Sequence, residues 1–85
     1  MKRADVTKLN KELTKLSTGR TGLQDFVTLA SRLDPRISKA LEGIYCGTSG
    51  SVHEQIPDTR YWIAFGWYAD PKSDNPPKVE YAYIS

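Results

Sequence analysis

RYWIAFGWYADPKSDNPPKVEYAYIS, residues 60–85, holds both tryptophans of the chain and four of its five tyrosines. After Arg60, the eight residues to Tyr68 are aromatic, β-branched or small, which suits a pleated and half-buried surface. DPKSDNPP, residues 70–77, is turn chemistry, and Pro76-Pro77 keeps the exit from that turn extended. The pattern predicts a strand over residues 60–68, a turn, and a strand over residues 78–84. Alternation assigns the faces. Tyr61, Ile63, Phe65 and Trp67 project one way, while Trp62, Ala64, Gly66 and Tyr68 project the other. In the last strand Val79, Tyr81 and Tyr83 share one face, and Lys78, Glu80, Ala82 and Ile84 share the opposite one.

Upstream of this hairpin, PDT (residues 57–59) is a further turn, because Pro57 presets a dihedral and Asp58 can bond its own backbone. SVHEQI (residues 51–56) alternates, with Val52, Glu54 and Ile56 on one side, and fits a short edge strand. GTSGS (residues 47–51) is small and glycine-rich and reads as a loop. Before residue 45 the apolar period changes to that of helices. Val6, Leu9, Leu13 and Leu16 form a first stripe, with Asp5 as the expected N-cap and Gly19 as the stop. Thr21 and Gln24 have the form of a capping box for a second helix along Leu23, Phe26, Val27, Ala30 and Leu33. Asp34-Pro35 ends that helix and caps a third along Ile37, Ala40, Leu41 and Ile44, which Gly43 closes.

The expected fold is therefore α+β: three N-terminal helices packed on a C-terminal two- or three-stranded antiparallel β-meander. Residues 1–85 form a single domain, with a helical half at 1–44, a loop with an edge strand at 45–59, and the β-hairpin at 60–85. Eighty-five residues leave no room for a second core. One cysteine, Cys46, and one histidine, His53, give neither an internal disulfide nor a structural zinc set, so no metal or cofactor is expected. A chain this small commonly gains stability from a second subunit, which makes a homodimer the first staple to expect. Met1 is followed by no long apolar run, which predicts a complete cytoplasmic chain without signal peptide or membrane span.

The aromatic excess sets the functional question. A sheet with one wet face should be polar there, yet Trp62 and Tyr68 stand on that side with Ala64 and Gly66 between them. Three covers compete: a segment of the same chain folded across, from residues 47–59 or from the N-terminal region; a protein surface, from a second copy or a different partner; or nucleic-acid bases. Tyrosine and tryptophan are enriched at the energetic centres of protein interfaces. Base stacking calls for cations between the rings. After Arg60 the long strand has none, and Asp70, Asp74 and Glu80 lie close by in sequence.

Charge marks a second candidate region. Residues 1–20 hold six basic and two acidic side chains, and the rest of the chain holds six and eight. Lys8, Lys11, Lys15 and Arg20, with Arg36 and Lys39, are the cations a nucleic-acid partner would use. LASRLDPRISKALEG, residues 29–43, resembles the helix-turn-helix of bacterial repressors in Ile37, Ser38, Lys39, Ala40 and Leu41. That resemblance implies that Arg36 and Lys39 face a DNA groove, with Lys72 and Lys78 on a wing-like loop. The link between Leu33 and Ile37 is several residues shorter than in those repressors, and Asp34-Pro35 replaces their glycine turn.

Catalytic sets are poor. Cys46 and His53 are seven residues apart, a spacing that permits a thiol and a base to meet but more often joins an inert cysteine and a surface histidine. His53, Glu54 and Arg60 have ribonuclease-like residue types, but strand alternation points His53 and Glu54 to opposite faces. GTSGS lacks the lysine of a phosphate loop. The sequence reading is a small non-catalytic binding or regulatory protein, of a size that suits a phage or mobile-element inhibitor. It would dock on a protein partner through Trp62, Tyr68, Tyr81 and Tyr83, with Asp70 and Lys72 at the rim.

Overall fold

The computed structural model describes residues 1–44 and 49–85. Three helices, α1 (Arg3–Thr18), α2 (Leu23–Leu33) and α3 (Pro35–Leu41), precede three strands, β1 (Gly50–Gln55), β2 (Trp62–Tyr68) and β3 (Lys78–Ile84). The strands form one antiparallel sheet in the order β1-β2-β3. The expected α+β layout is thus the observed one, and the meander has its third strand.

Each helix follows its apolar stripe. Val6, Leu9 and Leu13 of α1, Leu23, Phe26 and Ala30 of α2, and Ile37 and Leu41 of α3 are buried. They meet Ile56, Ile63, Phe65, Trp67, Val79, Ala82 and Ile84 from the sheet in one apolar cluster. Phe26 and Phe65 pack at its centre with ring centroids 4.9 Å apart. α1 lies mainly over β3, while α3 packs against α2 and reaches β1.

The helix ends depart from expectation in two places. α1 begins at Arg3, not after Asp5; Asp5 lies in the first turn, where its carboxylate accepts from the Lys2 amide at 3.0 Å. A carboxylate there satisfies an otherwise orphaned donor from inside the helix as well as from the cap. α2 begins at Leu23 without a side-chain cap. Thr21 instead donates its hydroxyl to the Leu16 carbonyl at 2.8 Å, and its own carbonyl accepts from the Val79 amide at 2.9 Å. The Leu23 amide donates to the Pro77 carbonyl at 2.9 Å. The α1–α2 turn is therefore recruited by the sheet, and its backbone partners there replace the capping box. At α3 the expected cap forms, with the Asp34 carboxylate accepting from the Arg36 amide at 2.8 Å.

In the sheet, the segment read as a loop already pairs at its end, since Gly50 and Ser51 lie opposite Trp67 and Gly66. Arg60 and Tyr61 precede β2, in the turn rather than the strand. The face assignment of the last strand needs correction. Gly66 pairs with Tyr81 but Trp67 pairs with Val79, so Glu80 is an extra residue in a β-bulge. The bulge resets the alternation. Val79 turns to the core, Tyr81 and Tyr83 turn to the outer face, and Ala82 and Ile84 turn inward.

Candidate protein-docking face

Because the bulge resets β3, every ring singled out in the hairpin except Tyr61, Phe65 and Trp67 lies on the outer face of the sheet. Trp62 and Tyr68 come from β2, and Tyr81 and Tyr83 from β3. They are 39%, 50%, 44% and 48% exposed. Beneath them Ala64 and Gly66 are buried. The register explains the floor: Ala64 lies opposite Tyr83 and Gly66 opposite Tyr81. A Cβ built on Gly66 would collide with the Tyr81 ring. The ring crosses β2 in the room that glycine leaves, and it sits 6.1 Å from Tyr83, centroid to centroid.

β1 adds to the same face. His53 pairs with Ala64, and its ring lies 4.9 Å from that of Trp62. From sequence His53 presents itself only as a catalytic base or a surface residue. Its contact with Trp62 depends on the β1–β2 register, which alternation within β1 alone cannot fix. Among the described residues, then, Trp62 packs on His53 and Tyr81 on Tyr83, and each of the four aromatic rings stays about half exposed.

The rim residues separate. Asp70 lies with Tyr68, Ser73, Asn75 and Pro77 around a shallow hollow of about 450 Å³. Its carboxylate accepts from the Lys72 amide at 2.9 Å, which fixes the turn. Lys72 itself is exposed in that turn. At the opposite end Lys2, Arg3 and Arg60 converge around an open cleft beside Gln55 and Tyr61. Arg60 stands 5.4 Å from the Tyr61 ring centroid, and the Tyr61 hydroxyl beside it raises the guanidinium's affinity for its proton.

The cations of the nucleic-acid reading come from separate elements. Lys8, Lys11 and Lys15 are exposed on α1, which covers β3, whereas Arg36 and Lys39 are on α3, which reaches β1 at the other edge. Arg20 belongs to neither group and lines a hollow with Tyr68 and Lys78. Lys15 is 3.4 Å from Glu12. Arg36 grips Asp34 with two guanidinium nitrogens, both at 3.1 Å, and this hydrogen-bonded cation holds the Asp34 carboxyl below its ordinary value of 3.8. A single residue, Asp34, links α2 to α3.

Among the described residues no cluster of three or more histidine, cysteine or acidic side chains could hold a metal ion. Cys46 lies outside the described residues, and with it the Cys46–His53 pairing considered from sequence. No described helix is long and apolar enough to cross a membrane. No protein-family model, curated protein or solved structure matches the chain.

Proposed function

We propose that this chain is a small binding protein, of a regulatory or inhibitory kind, that acts by docking the outer face of its sheet on a protein partner. The observation that supports this reading is the set of four half-exposed rings above a buried floor of Ala64 and Gly66. Tyrosine and tryptophan present large area at little conformational cost, and both tolerate partial wetting through a polar tip. With roughly 200 Å² per aromatic side chain, four rings about half exposed amount to about 400 Å². That is the scale of the largest apolar patch on a typical monomer, and such patches are often functional.

A protein suits the face better than a nucleic acid does. Asp70 and Glu80 flank the rings, and the cations that would neutralise a phosphate chain come from three separate segments, α1, the α1–α2 turn and α3. The test is capture of partners from cell lysate with wild-type and Trp62→Ala baits, in nuclease-treated and untreated halves. Retention of one protein in both halves, lost with Trp62→Ala at unchanged thermal stability, is expected. A collapse of thermal stability in Trp62→Ala would make Trp62 part of the core. Retention that vanishes with nuclease would move the function to the cations.

A further inference from the structure

The two edges of the sheet are finished differently. The β3 edge is closed near both its ends, by side chain and by backbone. Asn10 of α1 receives the Ile84 amide at 2.7 Å and donates to the Ile84 carbonyl at 3.0 Å. Nearer the start of β3, the Val79 amide and the Pro77 carbonyl are taken by Thr21 and Leu23. The β1 edge has no such closure. The Trp62 amide and carbonyl both bond Ser85, so the groups of Trp62 face β3. In an antiparallel ladder the next residues alternate, and those of Ile63, Phe65 and Trp67 face β1. Their partners Glu54, Val52 and Gly50 therefore point inward. The amides and carbonyls of Ser51, His53 and Gln55 point outward, and among the described residues none has a partner. β1 contains neither proline nor lysine, two of the residues that commonly blunt such an edge, and its one charge is Glu54 on the inner side.

We infer that this edge is completed by a second copy of the chain, through antiparallel pairing of β1 with itself about a two-fold axis at His53. The inference deepens the docking reading, because it sets the size of the face that a partner meets. Pairing centred on His53 places Ser51 opposite Gln55 and Val52 opposite Glu54 of the second copy. All six outward residues then exchange backbone hydrogen bonds, no like charges are aligned, and the symmetry closes the contact instead of propagating it. Beside the strand, a groove of about 400 Å³ between α3 and β1 has a mixed wall, with Ala40, Ile44 and Val52 beside Glu42, His53 and Glu54. A dyad between antiparallel strands is perpendicular to the sheet, so both outer faces end on the same side. Two faces of about 400 Å² then give about 800 Å², the area per partner of a standard protein interface. One face alone falls short of that.

The experiment is sedimentation equilibrium of the full chain over a wide concentration range, with amide hydrogen exchange at Ser51, His53 and Gln55. A mass rising toward twice the 9.6 kDa chain is expected, together with protection of those three amides that grows with concentration. His53→Pro removes the central donor at a position whose amide serves no internal bond, and His53→Lys sets two cations across the dyad without touching the backbone. Each should weaken the dimer by at least about tenfold while thermal stability holds. A wild-type chain that stays at 9.6 kDa throughout overturns the inference. So does a dimer that survives both variants, or one lost in Trp62→Ala, which would mean stacked faces. Mass and exchange make no use of the outside partner, so their failure leaves the docking face standing, and failed capture leaves the dimer standing.

Discussion

Gly66 is where the outer face depends on a missing atom. Its Cβ would meet the ring of Tyr81, not backbone, and that ring is 44% exposed. Gly66→Ala should therefore leave the core intact and evict Tyr81. Thermal stability is expected to change by only about 1 kcal/mol, since the ring can swing into solvent. Near-UV circular dichroism should change, and partner capture should fall with it. A second residue-scale prediction concerns Asp34. Its folded pKa is depressed by Arg36, so its contribution to stability is full above its ordinary 3.8 and is lost as pH falls through the lower folded value. Asp34→Asn keeps a capping side chain but not the charge. The variant should lose less stability than wild type on acidification below about pH 4, as followed by denaturant midpoints against pH.

At the scale of elements, stripes and turns were legible because local chemistry dictates them. The helix spans followed from Val6, Leu9 and Leu13 and from Phe26 and Ala30, and the Asp34-Pro35 junction from the rules for prolines and caps. What failed depended on distant partners. The Thr21 capping box gave way because β3 supplied the α1–α2 turn with better backbone partners. The inner and outer faces of β3 were misassigned at Val79 because a one-residue bulge at Glu80 leaves no mark in the sequence. Tyr81 and Tyr83, beyond that bulge, are exposed on the outer face with Trp62 and Tyr68. Asn10 was not singled out at all, as a lone polar residue on a helix gives no hint of a strand end 74 residues away. Its role predicts a measurable cost. Asn10→Ala leaves the Ile84 amide and carbonyl unpaired under α1, which should destabilise the chain by about 1–3 kcal/mol. Exchange at the Ile84 amide should accelerate more than at Tyr83, whose bonds run to β2.

For the whole molecule, charge and aromatic surface are separated by the thickness of the fold. The helical half, residues 1–44, holds nine basic and five acidic side chains, while residues 45–85 hold three and five. The helices cover the inner face of the sheet and the rings occupy the outer one, so a partner on the rings meets a weakly acidic surface with cations only at its ends. Binding driven by apolar burial there should respond little to ionic strength. A phosphate chain held by six cations would instead lose roughly a thousandfold in affinity between 50 and 200 mM salt. Titration of the captured partner across that range therefore discriminates between the two surfaces without any mutation. A near-flat response is expected, together with a negative heat-capacity change from buried aromatic area. A steep linear fall of log affinity with log salt would place the contact on the lysines of α1 and the cations of α3, and would leave the outer rings to a structural role.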